Sequence, residues 1–340
     1  MNFDKLLINH PLFNDVTSRV DDLRRRTNAG ERLILPIFGP SRVGKNHAVA
    51  ALRHSMQSRM DGSRRLMPCL YVKASPRPSL SSLPQSMLQA AGVASFHQRG
   101  GPEAKTAAAI DAIRRLGCMV VIVDEFQHFA KGTAHADIAD VSDWLKNFFD
   151  QTCTSGILIG LPGADRVLQY DEQLAARANA PSHLLPYCWS VPMHRAEFTS
   201  ALQEVVSALR QSGFGFDPPR DFPAVMATAT AGRFGMTVKL LRAACYFASE
   251  TKTIDRKVLA QAYAEAVKRD EGGLVNPFER EPTEADAFAA YASLMRRSGY
   301  DDSFIGRVLT RHGADPVILT RARTDERQEA LRNVRKKLAC

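Results

Sequence analysis

The sequence contains no long apolar run, and its N-terminus lacks the apolar core of a secretory signal. A helix that spans a bilayer needs about 20 consecutive, mostly apolar residues, and polar or charged residues interrupt every apolar stretch of this chain before that length. Asp4 and His10 lie where a signal peptide would need its uninterrupted apolar segment. We therefore expect a cytoplasmic protein that has no membrane partner.

Cysteine is scarce and scattered, and no pair has the C-x-x-C spacing typical of zinc or redox sites. Several cysteines lie within apolar runs, where cysteine behaves as a small hydrophobic residue. The six are Cys69, Cys118, Cys153, Cys188, Cys245 and Cys340. A zinc site or a disulfide framework is therefore not expected.

The length and charge of the chain set the next limits. At 340 residues the chain is long enough for about two domains and a smaller appendage. The formal net charge is +9, which favours a polyanionic partner such as nucleic acid. Proteins that never contact nucleic acid carry similar charge, so the balance alone does not identify the partner.

A glycine-rich loop follows the first strong apolar segment. Residues 33–38 predict a buried strand, and a helix-like segment begins after Lys45. The loop between them matches G-x-x-x-x-G-K-[ST] at every fixed position except the last. In such loops main-chain N–H groups surround a phosphate and the lysine reaches the outer phosphates. The predicted ATP-binding residues are Gly39, Pro40, Ser41, Arg42, Val43, Gly44, Lys45, Asn46 and His47.

The last position of this motif departs from the pattern. A Ser or Thr hydroxyl would contact Mg²⁺ there, whereas this chain has Asn46, whose amide oxygen can ligate a metal but is longer and differently aimed. We expect ATP binding to survive this change more easily than hydrolysis. A glycine-rich turn with no ligand is the alternative, and the readable strand and helix on either side argue against it.

A second apolar run, residues 118–123, ends in the carboxylates Asp124 and Glu125. Such a run is typical of a central parallel strand that is buried on both faces. Strand ends of open α/β sheets face the ligand crevice, so both carboxylates are expected beside the glycine-rich loop. Asp124, together with Asn46, is the predicted Mg²⁺ ligand, and Glu125 is the predicted catalytic residue that orients the attacking water. An apolar strand that ends in acids by chance is the alternative.

Strands that alternate with helices predict an α/β fold whose parallel sheet is flanked by helices. We expect a helix from the loop to about residue 60, strands near 68–74 and 156–161, and an edge strand over 184–191. Helices are predicted near 195–211, 220–230, 236–249 and 255–269. The predicted parts are an N-terminal helical segment (1–30), a nucleotide-binding domain (31–192), a helical lid (193–272), and a linker with a basic helical appendage (273–340).

The order of these parts resembles the AAA+ ATPases, and more closely the TniB/TnsC family of transposition regulators. The likeness covers roughly residues 8–270. It lies in the blocks HPLF (10–13), GPSRVGK (39–45), YVKASPRPS (71–79), DEFQHF (124–129) and GLPGA (160–164). The loop and the acidic strand end are common to all AAA+ proteins, and only the third and fourth blocks point to this family.

The resemblance implies an AAA+ P-loop NTPase core, followed by a helical lid and a helical appendage. It also implies an ATP-dependent homo-oligomer, a ring or a helical filament, that winds on duplex DNA and links a target-selection factor to a transposase. ATP and Mg²⁺ would lie between neighbouring subunits. An arginine from the adjacent subunit would complete the site, and Arg177 matches this catalytic residue by its position after the fourth strand.

A regulator that acts at many targets is expected to contact DNA phosphates rather than base edges. The candidates are Arg99 and Lys105 around residues 97–102, and Lys131 and Lys146 after the acidic block. For each of them, a solvated surface charge is the alternative.

Two departures from the family pattern bear on activity. Besides Asn46, Leu161 stands where the family tends to place a hydroxyl or an amide that touches the γ-phosphate or its attacking water. Weak or absent ATP hydrolysis follows, with ATP acting mainly as an assembly switch. Two alternatives stay open: a non-catalytic nucleotide-binding scaffold with a degenerate site, and a replication-initiation or helicase-loading AAA+ ATPase.

Overall fold

The computed structural model describes residues 11–76, 79–93, 100–130, 135–267 and 276–314. The chain divides into two compact units, one from Leu12 to Leu184 and the other from Leu185 onward. The four-part division predicted from the sequence stays a prediction.

A parallel sheet forms the centre of the first unit. The strands of this unit are β1 (Ile34–Phe38), β2 (Arg59–Asp61), β3 (Arg64–Leu66), β4 (Cys69–Lys73), β5 (Val120–Asp124), β6 (Ser155–Gly160) and β7 (Ser182–His183). Five of them run parallel in the order β4-β5-β6-β1-β7. β2 and β3 form a separate antiparallel hairpin.

Helices cover both faces of this sheet. They are α1 (Pro11–Asn28), α2 (Lys45–Ala48), α3 (Ala50–Ser55), α4 (Ser82–Ala90), α5 (Pro102–Arg115), α6 (His135–Thr152), α7 (Asp165–Gln169) and α8 (Glu172–Arg177). Helices α1 to α3 pack on one face, where β5 contributes Val120 and Ile122. Helices α4 to α6 pack on the other, where β5 contributes Val121 and Val123. Because both faces of β5 are buried, its sequence is apolar without interruption.

Two predicted elements are wrong. The helix expected to about residue 60 ends at Ser55, and the β2–β3 hairpin follows it. Its two-residue loop contains Gly62 at a φ of 59°, a turn signal that the helical reading overlooked. The strand expected over 184–191 is replaced by the two-residue β7 that ends just before it. Residues 184–191 are apolar because they pack into the core, and Pro186 cannot donate a ladder hydrogen bond.

The second unit is mainly helical, as the sequence predicts. Its elements are α9 (Pro192–Gln211), β8 (Gly215–Asp217), α10 (Phe222–Thr230), α11 (Phe234–Phe247), β9 (Thr253–Asp255), α12 (Arg256–Ala266), α13 (Glu284–Arg297) and α14 (Asp302–Arg311). β8 and β9 form a short parallel pair that the helical pattern gave no reason to expect. Among the described helices of the whole chain, none is long and apolar enough to cross a membrane.

Candidate nucleotide site

The ends of three neighbouring strands bring the predicted residues to one edge of the sheet. β1 ends at Phe38 and β5 ends at Asp124, with β6 between them. Neighbouring strands lie about 4.8 Å apart, so the two outer ends are separated by about 10 Å. The Gly39 N–H donates to the Gly160 carbonyl at 3.1 Å, which joins the start of the loop to the end of β6. Ligands of open α/β sheets bind outside such carboxyl ends.

The loop needs glycine at both ends, for different reasons. A Cβ atom on Gly39 would lie 2.1 Å from the Leu184 carbonyl oxygen, so only glycine fits beside that backbone. Gly44 has a φ of 102°, in the left-handed region that glycine enters without steric cost. Arg42 also has a positive φ, 67°, which costs a residue with a side chain about 1–3 kcal/mol. Such strain is common in loops that bind a ligand with their backbone.

Lys45 lies at the centre of this loop and close to the acidic pair. Its Nζ donates to the carbonyl oxygens of Gly39 at 2.6 Å and Pro40 at 2.7 Å. Burial lowers the pKa of Lys45 to about 8, and attraction by Glu125 and Asp124 partly opposes that shift. Anionic phosphate oxygens in this loop would replace the two carbonyls and favour the charged ammonium.

The remaining loop residues differ in their exposure. Pro40 and Val43 are buried, whereas Ser41, Arg42, Asn46 and His47 are exposed. Helix α2, which carries Asn46 and His47, has only four residues and is separated from α3 by Val49. The dipole of a helix is the sum over its aligned peptide units. A helix of four residues therefore attracts phosphate less strongly than the longer helix predicted from the sequence would.

Asp124 is held by two hydrogen bonds at the end of β5 and is 5% exposed. Its Oδ1 accepts from the Glu125 N–H at 2.8 Å, and its Oδ2 accepts from the Tyr71 hydroxyl at 2.5 Å. Tyr71 lies on the neighbouring strand β4, and the Arg53 guanidinium stacks 4.2 Å from the centre of its ring. Burial and the contact with Asp124 raise the pKa of Tyr71 well above its usual value, so its hydroxyl remains a donor.

Glu125 has an unusual backbone and a neighbouring amide partner. Its φ is 56°, in the left-handed region. Its Oε2 accepts from the Gln127 Nε2 at 2.5 Å. Gln127 is 8% exposed, and its Oε1 accepts from the Leu161 N–H at 3.2 Å, just after β6. The side chain of Gln127 therefore connects the predicted catalytic carboxylate to the end of a different strand.

The donor set fits a magnesium ion that arrives with a nucleotide. Among the described residues, no group of three or more His, Cys, Asp and Glu side chains could hold a metal. Mg²⁺ in phosphate-binding sites is usually held by one or two protein ligands together with phosphate oxygens and water. The residues that would hold the ion are Asp124 and Asn46. The ion would neutralise charge on the outer phosphates.

Arg177 lies away from the glycine-rich loop of the same chain. It ends α8, and the next residue, Ala178, forms a bridge with Ile34 at the start of β1. The loop follows the other end of β1, five residues away, which corresponds to about 17 Å along the strand. The Arg177 guanidinium forms an ion pair with Asp150.

The four predicted DNA contacts have different outcomes. Arg99 and Lys131 lie outside the described residues. Lys105 is half-buried on α5 and donates to the Gln85 side chain at 3.2 Å. Lys146 is bound to Asp171 at 2.8 Å and to Asp143 at 3.1 Å, so two carboxylates already neutralise its charge. All four remain predictions.

Tyr71 and Gln127 are the residues of this site that sequence reasoning did not identify. Both lie in the blocks 71–79 and 124–129, which carry the resemblance to one family, and this is the only signal that could have singled them out. Their partners lie on other strands, and contacts between strands depend on register and not on spacing along the chain.

These features define a class of protein. A parallel sheet flanked by helices, with a glycine-rich loop after β1 and two acids after β5, is the AAA+ ATPase fold. The chain belongs to the TniB family, because the family model described as "Bacterial TniB protein" matches residues 4–185, more than half of its length. The resemblance found in the sequence is thereby confirmed. A comparison with curated proteins gave no match.

Several solved structures share the fold. The ORC1 protein of Aeropyrum pernix in complex with DNA is 15% identical, with a TM-score of 0.55 over 95% of this chain and 94% of that one. Cdc6p from Pyrobaculum aerophilum is 12% identical, with a TM-score of 0.57 over 96% and 97%. The ORC2 protein of Aeropyrum pernix, in ADPNP-ADP complexes, is 16% identical, with a TM-score of 0.53 over 74% and 67%. At such identities the likeness shows the fold alone.

Proposed function

We propose that this protein is an ATP-dependent, DNA-binding AAA+ regulator of transposition. In this proposal the subunits assemble on duplex DNA as a ring or a filament and link a target-selection factor to a transposase. Membership of the TniB family supports the role in transposition. The net charge of +9 supports a polyanionic partner. Two proteins with a similar fold, ORC2 and ORC1, were solved with ADPNP and ADP and with DNA, respectively.

The observation that carries ATP binding is the meeting of opposite charges at one sheet edge. Lys45 follows β1, and Asp124 and Glu125 lie at the end of β5, so strand order brings all three to the same edge of the sheet. Burial lowers the pKa of Lys45, and the charges of Glu125 and Asp124 oppose that shift. A lysine for the outer phosphates, an acid for Mg²⁺ and an acid for the attacking water are the parts that nucleotide hydrolysis requires. β6 lies between β1 and β5 and ends at Gly160, which contributes no side chain.

Nucleotide binding is tested by titrating the purified chain with a fluorescent ATP analogue in the presence of Mg²⁺. We expect saturable binding that Lys45→Ala reduces at least about tenfold, because the variant lacks the cation for the outer phosphates. Lys239→Ala, on α11 of the other unit, is the matched control and should bind as the wild type does. Equal binding by the wild type and Lys45→Ala would contradict the proposal.

DNA binding is tested by filter binding with duplexes of unrelated sequence across a series of salt concentrations. A protein that contacts phosphates loses affinity linearly on a logarithmic salt scale, with little dependence on sequence. Arg59 and Arg65, exposed on the β2–β3 hairpin, are candidates that the sequence reading did not include. We expect Arg59→Glu with Arg65→Glu to weaken binding and flatten the salt slope. Arg210→Glu, exposed on α9, is the control for charge reversal.

A static scaffold is the second candidate, and two residues favour it. Asn46 lacks the hydroxyl expected for Mg²⁺, and Leu161 supplies no polar side chain at the end of β6. A steady-state ATPase assay with and without duplex DNA separates the two functions. Brisk magnesium-dependent turnover would exclude the scaffold, whereas tight binding with no turnover would favour it.

The replication-initiation alternative shares the fold of ORC1 and Cdc6p, and it differs in how DNA would be read. An initiator or a helicase loader would prefer particular sequences or a helicase partner, whereas a transposition regulator would bind duplexes of any sequence. Electron microscopy with an ATP analogue and unrelated duplex DNA distinguishes them. Regular ring or filament assembly on any duplex supports the transposition regulator.

A further inference from the structure

The end of β6 presents no polar side chain, although it lies between the glycine-rich loop and the acidic pair. Gly160, Leu161 and Pro162 follow one another there. A site that distinguishes ATP from ADP needs a polar group near the outermost phosphate, because that phosphate is the only difference between the two ligands. Lys45 contacts the outer phosphates from the loop side, so a polar group on the β6 side would have to come from an element other than β6.

Gln127 reaches this place from a neighbouring 3₁₀ helix, Phe126–Ala130. Its Oε1 accepts from the Leu161 N–H at 3.2 Å, and its Nε2 donates to Glu125 Oε2 at 2.5 Å. A carboxamide has two N–H donors, so one of them remains for a further acceptor beside Glu125. Glu125 in turn acts electrostatically on Lys45, the residue expected at the outer phosphates.

The backbone of β6 leaves room for this side chain. A Cβ atom on residue 160 would lie 2.7 Å from Gln127 Oε1 and 3.0 Å from the Gln127 backbone nitrogen. Glycine at position 160 is thus what allows the carboxamide to lie against the end of the strand. The side chain is 8% exposed, and its oxygen is bound to main chain, so its orientation is restricted.

We propose that Gln127 is the residue that distinguishes a nucleoside triphosphate from a diphosphate in this site. This inference rests on the proposed nucleotide binding. The γ-phosphate accepts a hydrogen bond from the Gln127 carboxamide, whose orientation is held by the Leu161 N–H. The same carboxamide positions Glu125, so the presence of the γ-phosphate is transmitted to the carboxylate that orients water. Gln127 replaces the polar residue that Leu161 lacks.

The test compares affinities for a non-hydrolysable ATP analogue and for ADP, measured with Mg²⁺ on the purified full chain. The readout is the ratio of the two affinities, which does not depend on turnover. We expect the wild type to prefer the analogue. Gln127→Met, which keeps the volume and removes the polar group, should weaken analogue binding about tenfold and leave ADP binding unchanged. That size is expected for one hydrogen bond to a charged group.

Two further variants keep the test decisive if Gln127→Met folds poorly. Gln127→Glu keeps the acceptor for Leu161 but presents a carboxylate to Glu125 and to the γ-phosphate, so it should abolish the preference for the analogue. Gln169→Met is the matched control, because Gln169 also donates to a carboxylate, that of Asp165, but is exposed on α7. Melting temperatures measured for each variant identify unfolded protein.

The possible results separate this inference from the proposed function. A wild type that binds neither nucleotide overturns the proposed function and the inference together. A wild type that binds both nucleotides equally, or a Gln127→Met variant that keeps the wild-type ratio, overturns the inference alone. Loss of the ratio in Gln127→Met and Gln127→Glu, with an unchanged Gln169→Met control, supports it.

Discussion

Single side chains determine how charge is held at the carboxyl edge of the sheet. Asp124 and Glu125 each receive a hydrogen bond from a neutral side chain, Tyr71 and Gln127, respectively. Lys45 donates to two main-chain carbonyls. Charges removed from water are tolerated when they are paired and hydrogen-bonded. Removing either neutral partner should therefore destabilise the carboxylate to which it donates.

The hydroxyl of Tyr71 can be removed alone. Tyr71→Phe leaves the ring under Arg53 and takes one of two donors from Asp124, which is 5% exposed. We expect the free energy of unfolding to fall by about 1–3 kcal/mol, since a buried carboxylate loses a partner. Urea unfolding measures this change. Tyr246→Phe, at a residue that is 76% exposed, is the control. Equal effects of the two variants would contradict the role of the hydroxyl.

Gly39 tests whether the loop depends on close backbone contact. In Gly39→Ala the new Cβ would meet the Leu184 carbonyl oxygen at 2.1 Å, so either the loop or residue 184 must move. We expect a loss of stability of about 1–3 kcal/mol, the usual cost of overpacking, together with weaker nucleotide binding. Gly163→Ala, where nothing lies within 4 Å of the added atom, should be close to neutral. Thermal unfolding and nucleotide titration compare the two variants.

In the second unit a pair of histidines joins α9 to the end of α14. The Cys188 N–H donates to His194 Nδ1 at 3.2 Å, and His194 Nε2 lies 2.9 Å from His312 Nδ1. Because Nδ1 of His194 accepts, its Nε2 carries the hydrogen and donates to His312. Burial, followed by the charge of His312, lowers the pKa of His194 to about 4, and burial also lowers the pKa of His312. The contact between α9 and His312, the residue that follows α14, therefore requires neutral imidazoles.

This pair predicts acid sensitivity of the second unit. An unfolded histidine has a pKa of about 6.5, so between that pH and about 4 the unfolded chain binds more protons than the folded one. The free energy of unfolding should be highest above pH 6.5 and fall toward pH 4. In Trp144→Phe protein the fluorescence of Trp189 reports this unit alone. In His194→Gln the free energy of unfolding should depend less steeply on pH. A pH dependence as steep as that of the parent protein would contradict the role of the histidine pair.

Elements with a strong local pattern were predictable. The apolar run of β5 and the periodic helices of the second unit could be read from neighbours along the chain. The β2–β3 hairpin was missed, because its strands are short and exposed and carry no alternation. The strand expected over 184–191 failed because apolar residues pack into a core equally well without a ladder.

The proposed role of Arg177 concerns the oligomer and not the single chain. Its own glycine-rich loop lies beyond the other end of β1, so in the proposed oligomer the arginine would act on a neighbour's nucleotide. Its ion pair with Asp150 joins side chains that are 37% and 46% exposed, and exposed pairs contribute little stability. A subunit contact could therefore displace it.

Mixing of variants tests this placement. Lys45→Ala lacks the phosphate lysine but keeps Arg177, and Arg177→Ala keeps the loop but lacks the arginine. We expect each alone to lose ATP-dependent assembly on DNA, and a mixture to regain part of it, because some interfaces then hold both groups. Light scattering or electron microscopy measures assembly. A mixture no better than its components would place the arginine outside the neighbouring site.

Residues close in sequence were enough to predict the glycine-rich loop, the acidic strand end and the α/β class, because loop chemistry and periodicity are local properties of the chain. Tyr71 beside Asp124, Gln127 between Glu125 and Leu161, and Arg177 at the far edge followed from none of these patterns. Each depends on strand order and register, which a balance of packing and hydrogen bonding among distant segments selects. Contacts between elements therefore determine which side chains hydrogen-bond or pair with the charged groups.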